Sequence, residues 1–339
     1  MRQLLVCLLV VFAEETGSLS VPSKSIRALP TWLLATADDA AVTATSPPAA
    51  VETPATAPPK PVSVLVCPAQ FCVPADYEQF LATLHTKLPT TLRSATTVPL
   101  PRTEWIQVAK QLPTTDYIQG TLPVEETLRW YFNAMEQALL DLLNNDDGDG
   151  DTSTSTDICI IGHSIGGWIA RAYLGGLSQS SSAVYRAARQ RVRSLVTLGT
   201  PHQPSGAADQ TRGLIRAVAA AASCTPAALA AEAGIRVTCV GSRAVEGGWD
   251  GGPEGLLAWG SYGSFAGDFA GVIVGDGIVP LESSLLEAPA ERVVLDTPRH
   301  LHVLPTPWNL WDGYQPSIPL LDVPHYLSDD VVDQWIDYL

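Results

Sequence analysis

The chain has 339 residues, 46% apolar and 16% charged, with 20 Lys and Arg against 35 Asp and Glu for a net charge of −15. That composition supports a sizeable core and excludes a chain disordered throughout. The acidic balance shows no basic face, which excludes nucleic acid as a partner and electrostatic docking on anionic lipid.

Residues 1–13 read as a signal peptide. Arg2 supplies the positive start, Leu4 to Phe12 the apolar core, and Val11-Phe12-Ala13 a small-residue cleavage site. The run is too short to span a bilayer. Residues 14–60 are rich in Ala, Thr, Ser and Pro and cannot bury enough apolar surface to order themselves. Together they predict entry into the secretory pathway. The second segment reads either as the transit part of a two-part plastid presequence or as the linker of a secreted protein, and both readings stay open.

The folded part is expected over 61–339. Val62 to Cys67 predicts a strand, 68–74 a loop and 75–88 a helix. Pro123 to Asn144 predicts a long helix, with Pro123 in its first turn and an apolar stripe through Leu128, Tyr131, Phe132, Met135 and Leu139. An acidic flexible insertion follows over 146–157. Asn145, Asp147, Asp149 and Gly150 mimic the opening of a calcium loop, but Thr156 stands where the bidentate Glu belongs, so no metal is expected.

Asp157 to Arg171 carries the strongest signal. A β-prone run, Ile158 to Ile161, turns sharply through Gly162-His163-Ser164-Ile165-Gly166 and leaves as a helix with Ile165, Trp168, Ile169, Ala172 and Tyr173 at helical spacing. A G-x-S-x-G motif between strand and helix is the context of a nucleophilic serine on a strained turn. The glycines give room for close packing, and Ser164 lies at a helix N-terminus, where developing negative charge is favoured.

Arg193 to His202 predicts a buried strand ending in a loop on the edge that carries Ser164. Residues 209–222 and 226–233 predict Ala-rich helices, and 235–240 the next strand. Ala244 to Gly271 is Gly-rich and aromatic, with Trp249, Trp259, Tyr262 and Phe265, and reads as a mobile lid. Residues 272–280 predict a strand end opening into a loop, 292–295 a last short strand, and 329–339 a closing helix. Strands alternating with helices mean a parallel sheet with helices on both faces.

The six cysteines are Cys7, Cys67, Cys72, Cys159, Cys224 and Cys239. Signal cleavage leaves an odd number, which fits no complete disulfide framework. Cys159 in its buried strand is expected to be inert. Cys224 and Cys239 are the pair open to bridging. No cysteine–histidine spacing suggests zinc.

The order of motifs resembles the α/β-hydrolase fold. Within it, the chain is similar to the lipase-like group of plants, algae and cyanobacteria distantly related to glycosylphosphatidylinositol inositol-deacylases. The residues that carry the likeness are Gly162 to Arg171, Leu198-Gly-Thr-Pro-His202, Asp209-Gln-Thr-Arg-Gly-Leu214, Gly275-Asp-Gly-Ile-Val-Pro-Leu281 and Val332-Asp-Gln-Trp335. The resemblance implies a mostly parallel sheet with a small cap, a serine hydrolase of acyl esters without a cofactor, and, in plants, often a plastid location. The chain departs from the group in the 146–157 insertion, around Trp249, and over 299–311. In this fold one oxyanion donor is the N–H of Ile165, after the nucleophile, and the other comes from the loop after the first strand, here Gln70 or Phe71.

Chain order in this fold is Ser, acid, His. Asp276 follows a β-branched run and lies between glycines, free to turn across the sheet edge, whereas Asp250 and Asp268 lie in the Gly-rich stretch and Asp296 is too close to His300. The base is then His300, just after the last strand, with His302 the alternative. His163 is expected to pack beside the serine, and His202 to line the cleft rim. Phe71, His202, Trp249 and Trp259 are the expected substrate contacts. The reading is a serine esterase acting on a small-molecule or lipid ester, with transient membrane-surface contact if the ester is a lipid and with the oligomeric state open. An acyltransferase using the same triad, or a hydrolase fold kept as a binding module, are the alternatives.

Overall fold

The computed structural model describes residues 60–146, 156–179, 181–203, 209, 211–266, 271–300 and 323–339. The signal peptide (1–13), the linker (14–60, but for Lys60), residues 147–155 of the acidic insertion and the alternative base His302 lie outside the described residues.

Six strands form one parallel sheet: β1 (Val62–Cys67), β2 (Leu92–Thr97), β3 (Asp157–His163), β4 (Val192–Leu198), β5 (Arg236–Ser242) and, last in the chain, β8 (Glu291–Leu295). Their order across the sheet is β2-β1-β3-β4-β5-β8. The short strands β6 (Val245–Gly247) and β7 (Ile273–Gly275) pair antiparallel as a separate ribbon. The chain runs from β1 outward to β2 and then returns to the other side of β1 for β3. That reversal opens a crevice at the carboxyl ends of β1 and β3, the place where open α/β sheets bind their ligands.

Period-two alternation splits the strand residues between two cores. Leu65, Cys67, Ile158 and Ile160 face the first, with Leu128, Tyr131, Phe132, Met135 and Leu139 of α2 (Val124–Asp146) and Trp168, Ile169 and Tyr173 of α3 (Ile165–Leu174). Val64, Val66, Cys159 and Ile161 face the second, with Phe80 and Leu84 of α1 (Glu78–Lys87) and Val331, Val332 and Trp335 of the C-terminal segment. Each such side chain, fully buried, stabilises the fold by about 1.5–3 kcal/mol. Two layers of helix on one parallel sheet follow from strands that are apolar on both faces.

Further helices are α4 (Ala183–Arg191), α5 (Leu214–Ala220), α6 (Pro226–Ala233) and α7 (Gly252–Ala266). Leu214, Ile215, Val218 and Leu229 of α5 and α6 are buried in the first core. Those two helices are therefore part of the body of the domain.

The structure departs from the sequence expectations in four places. The edge strand β2 has no apolar run to announce it. It is a strand because it pairs with β1, and Ser94 Oγ donates to Ser63 Oγ at 2.8 Å. The Gly-rich stretch folds as helix α7, with its own small core of Val245, Ala258 and Tyr262. Glycine there permits close approach: a Cβ on Gly247 would lie 2.6 Å from the Tyr262 ring. The strand before Asp276 belongs to the β6–β7 ribbon and not to the main sheet. The closing helix is only Asp329–Val332, followed by a tight turn at Ile336–Tyr338. Among the described residues no helix is long and apolar enough to cross a membrane.

Candidate active site

Ser164 lies at the reversal point, between β3 and α3. Its φ of 53° and ψ of −126° are strained for a residue with a side chain and cost on the order of 1–3 kcal/mol. Packing holds it there. The Ser164 N–H donates to Leu198 O at 2.8 Å, and α3 begins directly against the end of β1. A Cβ on Gly166 would sit 2.2 Å from Cys67 O, and one on Gly162 would sit 2.2 Å from Gly167 Cα. Only glycine allows that approach.

His300 reaches Ser164 from the loop after β8. Its Nε2 is 2.9 Å from Ser164 Oγ and its Nδ1 is 2.8 Å from Asp276 Oδ2. An ionised carboxylate only accepts, so Nδ1 carries the proton and Nε2 is left to accept from the serine hydroxyl. The backbone is clamped as well: His300 N–H donates to Asp276 O at 2.8 Å, and Arg299 N–H to Pro324 O at 2.8 Å.

Asp276 is 1% exposed. Its Oδ1 accepts the N–H groups of Ile278 and Val279 at 3.0 and 2.7 Å, and its Oδ2 also accepts the Tyr326 hydroxyl at 3.0 Å. Burial by itself would push the carboxyl up. The charge and hydrogen bond of His300, with the Val279 and Ile278 N–H groups, more than offset it and hold the carboxyl below its ordinary range. Beneath the pair is Gly199, at φ +53°; a Cβ there would lie 2.6 Å from Asp276 Oδ2 and 3.1 Å from His300 Nδ1.

The loop after β1 is anchored by buried side chains. Tyr131 OH donates to Pro68 O at 2.9 Å, and Ala69 N–H donates to Tyr77 OH at 2.8 Å. The Tyr77 oxygen is thus an acceptor, and it also lies in hydrogen-bond contact with His163 Nδ1, 2.8 Å away. Val73 N–H donates to Asp76 Oδ2 at 2.8 Å, and Arg102 Nη2 donates to both Asp76 oxygens at 3.2 and 3.1 Å, fully buried. Breaking such a buried pair costs about 3–5 kcal/mol. Gln70 is exposed in this loop. Phe71 is half-buried at φ 63°, tilted on Trp105 at 5.8 Å.

The structure thus brings together Ser164, His300 and Asp276, with Ile165 in the first turn of α3 and Gln70 and Phe71 in a loop packed against it. His202 is a correction. It is fully buried and does not line a rim: its Nε2 is 3.0 Å from Thr197 Oγ1, and its carbonyl accepts from the buried Arg171 at 3.3 Å. Burial, with Arg171 nearby, holds its imidazole well below the ordinary histidine value. His163 packs beside the serine and stacks obliquely on His300, ring centroids 5.6 Å apart. Trp249, 72% exposed, meets the half-buried Trp259 edge to face at 6.1 Å. Cys224 and Cys239 are not bridged; both are free and buried. Burial raises the Cys159 thiol to about 11, as suits an inert group.

Of four supporting residues, Tyr131 is legible in the sequence only as part of the apolar stripe of α2, and Tyr77, Arg102 and Tyr326 carry no signal there. They stand far from the motifs in the chain, and nothing in their neighbours distinguishes them from core residues. Among the described residues no group of three or more His, Cys, Asp or Glu could hold a metal ion.

Sheet order, strained serine turn and crevice define the class: the chain has the α/β-hydrolase fold. Residues 124–221 match the family model of the PGAP1-like alpha/beta domain, which spans Ser164 and the loop after β4 but neither Asp276 nor His300. Curated proteins give no match. Solved structures similar to the chain include the lipase BlEst2 of Bacillus licheniformis, at 14% identity and TM-score 0.36 over 73% of this chain and 88% of that one. The carboxylesterase Cest-2923 of Lactobacillus plantarum WCFS1 is similar at 12% identity and TM-score 0.34, over 74% and 76%. An acetylxylan esterase is similar at 17% identity and TM-score 0.28, over 44% and 67%. The class rests on this chain's own sheet order and serine turn.

Two predictions come from this packing. Gly199→Ala adds a side chain where φ is positive and overlaps the Asp276 carboxylate. Activity on a simple ester should fall at least about tenfold more than any drop in folded protein, measured as kcat per labelled serine. The second concerns acid. A buried His202 that stays neutral cannot take up the proton that the unfolded chain takes up below about 6.5, so its contribution is present above that pH and lost as pH falls. The half-buried His325 acts in the same direction. Stability should fall from pH 7 to pH 5, with a slope of up to about 1.4 kcal/mol per pH unit for each such group. His202→Gln should flatten the Tm-against-pH curve; equal slopes in the two proteins would remove His202 as a source.

Proposed function

We propose that the chain hydrolyses carboxylic esters by covalent catalysis at Ser164. The observation that carries this reading is the imidazole of His300, hydrogen-bonded through one nitrogen to the serine and through the other to a buried carboxylate. His300 Nε2 takes the Ser164 proton as Oγ attacks the ester carbonyl. The oxyanion that forms is received by the N–H of Ile165 and by that of Gln70, with Phe71 the alternative. The imidazolium, held by Asp276, returns its proton to the leaving alcohol as the C–O bond breaks. Water, activated by the same imidazole, then releases the acid from the acyl-enzyme. Ser164→Ala should lower kcat by about 10³-fold or more and abolish labelling by a fluorophosphonate, with the fold retained. Near-normal turnover in that variant would remove the serine-hydrolase reading.

The substrate proposed is a lipid-like acyl ester. Support comes from the apolar surface beside the acid loop, where Trp249, Leu256, Leu257 and Val272 are exposed. Trp259 on α7 is placed in this proposal as part of the acyl wall. Medium and long acyl esters should give a higher kcat/KM than acetyl esters, and Trp259→Ala should cost long-chain activity more than short-chain activity. A steady fall in kcat/KM from acetyl upward, with the variant affecting all lengths alike, would make the segment packing only.

A further inference from the structure

The carboxylate of Asp276 carries one more hydrogen bond than the orientation of His300 requires. Its Oδ1 is occupied by two backbone N–H groups, of Ile278 and Val279. Its Oδ2 accepts His300 Nδ1 at 2.8 Å and, on the same atom, the Tyr326 hydroxyl at 3.0 Å. Tyr326 comes from the C-terminal segment, far from the sheet strands that carry the rest of the site. It is fully buried, and its own carbonyl accepts Trp335 Nε1 at 3.0 Å, which holds its backbone independently of the acid. A Cβ on Gly199 would meet Asp276 Oδ2 and Tyr326 Cε2 at 2.6 Å each, so phenol and carboxylate converge over one glycine.

We propose that Tyr326 is a positioning residue for the acid: sharing Oδ2 with His300, its hydroxyl fixes the plane of the Asp276 carboxylate and tempers that carboxylate's pull on the imidazolium, and so sets the pH at which the base becomes available. The inference rests on the triad reading given above. Its chemistry is that of a shared acceptor. Each donor on Oδ2 draws on the same negative charge, so the second donor weakens what the carboxylate offers to the first. Burial and the Asp276 charge keep the phenol protonated well above its ordinary range, so it stays a donor throughout the working pH. Other polar groups surround the pair. The His163 ring lies 5.6 Å from that of His300, and Tyr262 OH accepts the Gly277 N–H at 2.7 Å beside the acid. The Arg299–Glu254 pair sits next to His300, and His325, near Asp330, adjoins Tyr326. Removing one phenol oxygen leaves all of these in place.

The test is the pH profile of kcat/KM, whose acid limb reports protonation of the free enzyme's base. In Tyr326→Phe the acid limb should move up by about 0.5–1 pH unit, with kcat down by up to about tenfold per fluorophosphonate-labelled serine and KM within about twofold. Replacing Tyr326 by 3-fluorotyrosine keeps the shape and strengthens the donor, so the limb should move the other way. If Tyr326→Phe does not fold, the fluorotyrosine form decides alone. An acid limb that stays put, with activity tracking only the number of labelled sites, would reduce Tyr326 to packing. If Ser164→Ala stays active, the triad reading falls and this inference with it. An inactive Ser164→Ala with an unmoved limb overturns the role of Tyr326 alone.

Discussion

Crowding around Ser164 is the constraint on which the rest of the structure depends. The turn from β3 into α3 is held at a positive φ because the end of β1, the loop after β4 and the first turn of α3 close on it from three sides. None of those contacts leaves space for a side chain at 162, 166 or 167: a Cβ on Gly167 would sit 2.1 Å from Thr200 Oγ1. A strained backbone persists only where its surroundings over-determine it. Here the same surroundings that impose the strain also bring the β1 loop against the helix N-terminus.

The buried carboxylate beside His300 is arranged on a different principle. Asp276 is not on a strand of the main sheet but at the end of a two-stranded ribbon braced by α7, and it has no exposed face. A buried carboxylate without partners would be pushed toward neutrality. Four donors reverse that, two from its own turn and one each from His300 and Tyr326. The ribbon and α7 therefore act first as a foundation for the acid, with Tyr262 OH holding the Gly277 N–H. The exposed tryptophan and leucines stand on the outer side of that foundation.

Buried hydrogen bonds join the parts. Tyr77 ties the loop after β1 to His163, the residue before Ser164, while Arg171 at the end of the serine motif reaches under the loop after β4. Such ties are directional where hydrophobic packing is not, and in a low-dielectric interior they are costly to leave unmade. They convert a general two-layer sandwich of helix on sheet into one with a particular edge geometry.

Local pattern was enough for the parallel sheet, the serine turn and the long helix α2, because apolar periodicity and glycine spacing are properties of neighbouring residues. Asp276 stands out in the sequence for a related reason, since a carboxylate between glycines after a β-branched run is a local feature, and the structure places it beside His300. The remaining features were decided by contacts distant in sequence. Edge strand β2 is made by pairing with β1 and has no apolar signature of its own. The Gly-rich stretch is a helix because its glycines let it lie close on β6. His202, polar and next to a conspicuous loop motif, is buried with Thr197 at one ring nitrogen and Arg171 at its carbonyl. Tyr77 and Tyr326 are ordinary buried tyrosines in the sequence. Only the tertiary fold, by carrying one hydroxyl to Ala69 and His163 and the other to Asp276, makes them part of the site, since the distances that matter lie between segments far apart along the chain.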